Sequence, residues 1–300
     1  MSLPRLPRAA LLLAAAPGLA ACKSDNTIKD ISVDQVAVTT GDFDRMEETL
    51  IRSDTLHDVF EGYISQAIYD PEVDPTVMNP KVEELFTGVN EDGDPLVVEY
   101  DALLVNSGTR GFGAYVYNGV DTDDRFLVDP AVPVAMEAFV SQARTLVVSD
   151  WSYELVELVW PDQVRFFNEA EGADAAQAGV SESVVAEVVA PGLRELLQAD
   201  AIELQFDFSY WTVIEDVGPD VDVYLRGDVE VRDPNGQGAV PLTDVPLLVG
   251  FDAGFGRVVF SAFSWKAQTP EVADLMLSFA VEGLEVEPSG DQLAGAEDAE

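Results

Sequence analysis

The sequence predicts an α/β domain, a three-layer sandwich with a mostly parallel sheet and an antiparallel addition late in the chain. Three observations predict it. Short, continuous apolar runs such as Ala102-Leu103-Leu104-Val105 and Leu146-Val147-Val148 alternate with segments of helical period. A strand that is apolar on both sides has to be covered on both faces, as in a parallel sheet between helix layers. Around residue 200 the period shortens to two, at Ile202, Leu204, Phe206 and Phe208 and again at Val221, Val223 and Leu225, as in antiparallel strands with one wet face. The chain then returns to its first pattern, with an apolar run at Arg257–Ala262 and a helix after it.

The elements follow in order. Gln35–Thr40 is a β-branched run closed at Gly41 and reads as a strand. Asp42 is placed to cap a helix over Phe43–Arg52, with Phe43, Met46, Leu50 and Ile51 on one side. Asp58–Ile64 reads as a second short strand. Residues 65–95 are rich in proline and aspartate and read as loop, with a short helix at Val82–Phe86. Tyr100–Val105 is a buried strand that ends in Asn106-Ser107-Gly108-Thr109. Val132–Ala143 reads as helix and Thr145–Ser149 as the next buried strand. Ser181–Gln198 reads as helix, broken at Pro191-Gly192. Pro246–Phe251 and Arg257–Ala262 form a hairpin through Asp252-Ala253-Gly254-Phe255-Gly256. Thr269–Leu284 is a helix opened by Pro270, with Val272, Leu275, Met276, Phe279 and Leu284 inward.

The N-terminus is of another kind. Arg5 and Arg8 precede an apolar stretch, Ala9–Ala16, too short to span a bilayer. These are the features of a secretion signal over residues 1–21. Leu19-Ala20-Ala21-Cys22 then resembles the lipobox of bacterial lipoproteins. The resemblance implies that Cys22 becomes the first mature residue and carries a diacylglycerol thioether, with a further acyl chain (palmitate or similar) on its amino group in many bacteria. Several acyl chains anchor a protein stably where one would not. Lys23 and Ser24 follow with no aspartate, which resembles the pattern sorted to the outer membrane of the cell envelope.

Fifty-six acidic residues face sixteen basic ones, for a formal net charge of −40. Losing Arg5 and Arg8 with the signal makes the mature chain two charges more acidic. Such charge repels nucleic acid and anionic lipid heads, so no nucleic-acid partner is expected. The acid is spread along the chain and 47% of residues are hydrophobic, which argues for a folded core under an acidic surface. Such a surface suits a saline setting, where salt screens its self-repulsion. Cys22 is the single cysteine. Committing it to lipid leaves no disulfide, no thiol nucleophile and no Cys-rich metal cluster, and no cofactor is expected. We read residues 22–33 as a tether, 34–285 as one domain and 286–300 as a disordered acidic tail.

Three segments together carry a second resemblance. They are Tyr100-Asp101-Ala102-Leu103-Leu104-Val105-Asn106-Ser107-Gly108; the Met136–Ala143 helix with Leu146-Val147-Val148-Ser149-Asp150-Trp151; and Gly256-Arg257-Val258-Val259-Phe260-Ser261-Ala262-Phe263-Ser264. They resemble the class I glutamine-amidotransferase-like superfamily, in particular its ThuA-like branch. The resemblance implies a flavodoxin-like fold. The catalytic residues of the amidotransferases are missing. Their chemistry needs a thiolate and a histidine. No cysteine follows residue 22, and Ser264 stands where the family often has histidine.

In open α/β sheets, ligands sit outside the carboxyl ends of the strands. Those ends carry Asp42, Asn106, Ser107, Asp150, Trp151, Ser264 and Trp265, which together could line a cleft with aromatic walls and polar tips, suited to a sugar or peptide. The same residues are also explained as turns, caps and core. His57 is the only histidine, and His57-Asp58 with Ser107 would complete a Ser–His–Asp set, although no nucleophile-elbow motif surrounds Ser107. Asp42 facing Asp150 would instead make a carboxylate pair for hydrolysis of envelope or extracellular glycans. Asn90-Glu91-Asp92-Gly93-Asp94 and Asp121-Thr122-Asp123-Asp124 offer oxygen ligands for calcium but lack a full calcium-loop spacing, and no metal site is expected. The expectation is a lipid-anchored, non-catalytic domain that binds a protein or glycan.

Overall fold

A computed structural model of the chain describes residues 33, 35–61, 82–109, 116–117, 120–121, 129–167, 176–233 and 238–282. The signal, Cys22 and the acidic tail lie outside the described residues. The strands are β1 (Val36–Thr39), β2 (His57–Phe60), β3 (Ala102–Val105), β4 (Val116–Tyr117), β5 (Val120–Asp121), β6 (Thr145–Ser149), β7 (Val164–Phe166), β8 (Glu182–Val188), β9 (Ala201–Phe206), β10 (Ile214–Val217), β11 (Val221–Arg232), β12 (Ala239–Ala253) and β13 (Gly256–Ser261). The helices are α1 (Met46–Arg52), α2 (Val82–Thr87), α3 (Ala131–Val140), α4 (Tyr153–Val159), α5 (Pro191–Leu197) and α6 (Pro270–Glu282).

Nine strands form one sheet in the order β2-β1-β3-β6-β13-β12-β11-β8-β9. The first five run parallel. From β13 outward every pairing is antiparallel. The parallel block has the strand order 2-1-3-4-5 of flavodoxin-like folds. Its inner strands are buried along their length: Val36, Ala37 and Val38 in β1, all of β3, and Leu146–Ser149 in β6. Helices cover both faces. α1, α5 and α6 pack together on one side, and α2, α3 and α4 on the other. The expected three-layer α/β architecture with a flavodoxin-like parallel sheet and antiparallel strands is what the chain adopts.

Most element boundaries fall within a few residues of expectation, and the β12–β13 hairpin pairs Ala253 with Gly256 across a Gly254-Phe255 loop. Residues 62–64 and Leu284 lie outside the described residues. Two readings are corrected. Residues 182–188 form strand β8, not helix. Val184, Ala186 and Val188 are buried while Ser183, Val185 and Glu187 face solvent, a period of two that outweighs the helix-compatible composition. Pro191 does not break a helix there; it begins α5, its missing N–H falling where no intrahelical bond is needed.

The second correction concerns α1. It starts at Met46, and Asp42 does not cap it. Asp42 and Phe43 are held in the loop by bonds to the β3 turn, and Asp44 by bonds to the turn after β13, so the helix opens later. Its first N–H, that of Met46, donates to the Oδ1 of Asn106 at 2.8 Å. Met46 and Leu50 point inward as expected, whereas Ile51 is 65% exposed. Arg52, in the last turn of α1, donates from Nη2 to the buried carboxylate of Asp274 on α6 at 2.6 Å and so ties the two helices.

Candidate functional site

The parallel order places the switch point between β1 and β3, where the connections leave the sheet in opposite directions. The carboxyl ends of β1, β3, β6 and β13 meet there. Their turns are 40–45, 106–109, 150–152 and 262–266. All seven candidate residues lie on these turns, so the sequence placed them at the correct end of the sheet. What it did not foresee is how fully the protein uses them.

The turns after β1 and β3 are joined directly. The backbone N–H of Phe43 donates to the Ser107 carbonyl at 3.1 Å and that of Asp42 to the Gly108 carbonyl at 3.3 Å. The approach needs glycine on both sides. A Cβ on Gly41 would lie 2.2 Å from the Ser107 oxygen. Gly108 has φ +77°, and a Cβ there would lie 2.6 Å from the Phe43 ring. Asn106 is wholly buried and stitches the seam. Its Nδ2 donates to the Thr39 carbonyl and to Glu47 Oε2, its Oδ1 takes the Met46 N–H, and its own N–H donates to Thr39 Oγ1 at 3.1 Å. The Ser152 and Thr109 hydroxyls both donate to its carbonyl, at 2.8 and 2.6 Å.

Asp150 follows β6 directly, and its backbone is left-handed, with φ +42°. A short 3-10 turn, Asp150–Ser152, then leads into α4. This strand–turn–helix elbow carries strain that its surroundings must hold in place. The side chain is 2% exposed. Its Oδ1 accepts the Thr212 N–H at 2.6 Å and its Oδ2 the Ser107 hydroxyl at 3.3 Å. Ser107 in turn accepts the Trp151 N–H at 3.3 Å, and its own N–H donates to Ser149 Oγ at 2.8 Å. Burial pushes the Asp150 carboxyl up to about 8; the Thr212 N–H pulls the other way, and the charge of Asp44 adds to the rise.

Asp44, which the sequence does not single out, is the more deeply buried acid of this turn. It is fully buried, whereas Asp42 stays half-buried on the rim. Its Oδ1 accepts the N–H groups of Arg45 at 2.8 Å and Lys266 at 3.0 Å and the Ser264 hydroxyl at 3.2 Å. Its Oδ2 is buried with no hydrogen-bond partner among the described residues. Burial raises its pKa, offset in part by the nearby Ser149 hydroxyl and by backbone N–H groups. Glu47 is also raised, again chiefly by burial, with its bond to Asn106 opposing. The acid whose charge bears on Asp150 at this end is Asp44. Nothing in the sequence pattern of Gly41-Asp42-Phe43-Asp44 says which aspartate turns inward; the backbone bonds at 42 and 43 decide it.

Aromatic rings roof the seam. Phe43 meets Trp151 edge-on at 4.7 Å and Phe208 at 5.0 Å, and Lys266 Nζ sits 5.1 Å from the centre of the Phe208 ring. Trp151 is half-buried, and its indole N–H donates to the Tyr210 carbonyl. Trp265 is 1% exposed and belongs to the core, with no hydrogen-bond partner for its indole nitrogen among the described residues. Beside it an open crevice of about 70 Å³ runs between Arg45, Glu48, Arg52 and Lys266.

His57 is not brought to this site. It opens β2, paired with Val36 at the amino end of the sheet, and its Nδ1 lies 2.8 Å from the Thr55 carbonyl. Ser107 is at the carboxyl end, so the Ser–His–Asp set does not assemble. The Asn90 loop is a closed turn: Asn90 Oδ1 accepts the N–H groups of Asp92 and Asp94, both at 3.0 Å. Residues 122–124 lie outside the described residues. Among the described residues no group of three His, Cys, Asp or Glu is placed to hold a metal ion.

Solved structures with a similar chain path exist. A cytoplasmic protein of Salmonella typhimurium is 12% identical, with 82% of this chain and 97% of that chain covered and a TM-score of 0.45. A ThuA-like protein from Parabacteroides merdae is 10% identical, with 84% and 90% covered and a TM-score of 0.45. PurLQS from Thermotoga maritima is 10% identical, with 82% and 97% covered and a TM-score of 0.47. Likeness this distant carries no statement about activity. No family model and no curated protein matches the chain.

Proposed function

We propose that the chain is a bacterial envelope lipoprotein, anchored through lipid on Cys22, whose α/β domain binds a protein or glycan partner and does not catalyse a reaction. One observation carries the second half. The polar groups at the switch point are already engaged inside the protein. Asn106 spends its side-chain amide and its carbonyl on its neighbours, and Ser107, Asp150 and Ser264 are buried in one hydrogen-bond network. A nucleophile or general base needs a free reacting face within hydrogen-bond reach of substrate. The first half rests on Leu19-Ala20-Ala21-Cys22 and the signal before it. No helix among the described residues is long and apolar enough to cross a membrane.

A specific observation favours a second reading. A buried acid with a pKa near 8 beside a second buried acid is a proton donor poised close to neutral pH, as a carboxylate-dependent hydrolase requires. One experiment separates the two. A soluble form beginning at Lys23 is assayed against ester, amide and glycoside substrates. The binding reading expects no turnover above buffer. Turnover that disappears in Ser107→Ala or Asp150→Asn overturns it. For the anchor, radiolabelled palmitate incorporated into the full chain and lost in Cys22→Ser is the expected result; an unlabelled full chain contradicts it.

A further inference from the structure

We propose that the amino-terminal end of the parallel sheet is a membrane-contacting face that rests on a zwitterionic lipid surface, so that the carboxyl end points away from the bilayer. This rests on the lipid-anchored reading above and gives the anchored domain an orientation.

β2, β1, β3, β6 and β13 all run the same way, so the residues that precede them share one end of the domain. Gln35 stands directly before β1 at that end. Twelve residues lie between it and Cys22, thirteen steps that reach at most about 45 Å when fully extended. The chain therefore leaves the domain toward its anchor from this end.

The same end carries the two most exposed large apolar side chains among the described residues. Phe255, in the loop before β13, is 87% exposed, and Leu56, before β2, is 80% exposed. Ile51, in the last turn of the descending helix α1, is 65% exposed. Exposed apolar groups gathered at one end call for a partner. β2 and β13 stand four strand spacings apart, about 19 Å at ~4.8 Å each, with β1 between them. Leu56 and Phe255 are thus two apolar prongs set on either side of the point where the tether enters. A broad, flat partner fits that spacing, and side chains of this kind enter the headgroup–acyl boundary.

Charge selects the lipid. Asp54, Glu99, Asp101 and Asp252 are exposed at the same end, against the partly exposed Arg144 and Arg257. These carboxylates disfavour an anionic surface, so the surface that fits is zwitterionic.

The single cysteine makes the test clean. The acylated mature chain, beginning at Cys22, is reconstituted into phosphatidylcholine vesicles that contain nitroxide-labelled lipid. A thiol-reactive fluorophore is placed in turn at Phe255→Cys, at Leu56→Cys and at Ser209→Cys. Ser209 is exposed between Phe208 and Tyr210 at the opposite end of the sheet. The native Cys22 thiol is consumed by lipid. Quenching several-fold stronger at 255 and 56 than at 209 is the expected result. Equal quenching at the three positions, or stronger quenching at 209, overturns the orientation while leaving the anchor intact. A chain that fails to float with the vesicles overturns the anchor itself, and the orientation with it. A further variant, Phe255→Asp, leaves the fold untouched because the side chain is exposed; it is expected to reduce quenching at 56 at least twofold, and no change contradicts the two-prong contact.

Discussion

Asp150→Asn tests the closed network quantitatively. The folded protein holds a proton on Asp150 up to a pH of about 8, while the unfolded chain releases it near the ordinary carboxylate pKa of about 4. The native state binds more protons than the unfolded state over that window. Stability is therefore full below about pH 4, falls as pH rises, and levels off above about pH 8. At about 1.4 kcal/mol per unit, the loss between pH 5 and 8 is on the order of 4 kcal/mol. For a domain of this size that corresponds to roughly 8–16 °C in Tm. Asparagine cannot ionise. Its Oδ1 still accepts the Thr212 N–H, and its Nδ2 can donate to Ser107 Oγ in place of the bond that the Ser107 hydroxyl gives to Oδ2. It also tolerates the left-handed backbone at this position. The assay is urea unfolding at intervals from pH 5 to pH 9. Asp150→Asn is expected to match wild type near pH 5 and to be more stable by several kcal/mol at pH 8. Asp44 is raised in the same direction and leaves a residual downward slope in the variant. The exposed Asp162→Asn serves as the control for general charge repulsion. Parallel wild-type and Asp150→Asn profiles across pH 5–8 would refute the reasoning, because Asp150 would then titrate alike in both states.

Two further outcomes follow from the seam and from the surface. Gly41→Ala forces a Cβ to within 2.2 Å of the Ser107 oxygen, so the two turns must separate and stability is expected to fall by about 3 kcal/mol in urea unfolding; a loss below 0.5 kcal/mol contradicts the close approach. Sodium chloride screens the repulsion among the surface carboxylates, so Tm is expected to climb as NaCl is raised toward 1 M, and a flat or falling Tm counts against the acidic surface as a salt adaptation.

Much of the architecture is legible from local pattern, because a strand buried on both faces has to be apolar throughout. β3 and β6 read directly from Ala102–Val105 and Leu146–Val148. β8 misleads because Ser183-Val184-Val185-Ala186-Glu187 alternates only weakly, with the exposed Val185 filling a position that should be polar. Its identity as a strand is fixed by pairing with β9 and β11, which no local window contains. The site was legible as a location and not as an arrangement. Strand ends are found by counting, so Asn106, Ser107, Asp150 and Ser264 fall in the right place. Whether Asp42 or Asp44 turns inward depends on backbone bonds to residues more than sixty positions away. The left-handed Asp150 and the glycine-to-carbonyl contact at Gly41 are likewise tertiary facts that residue types alone do not announce.

The central claim is that the switch point between β1 and β3 is closed and structural. Native-state hydrogen exchange measures this directly at the amides that seal it, those of Phe43, Met46, Ser107 and Thr212. If the seam belongs to the cooperative core, these amides exchange only through global unfolding, with the same protection as Val147 and Val259 in the central strands. Exchange of the four sealing amides through a local opening several kcal/mol easier than global unfolding would contradict it, and would mark the crevice as one that opens to receive a ligand.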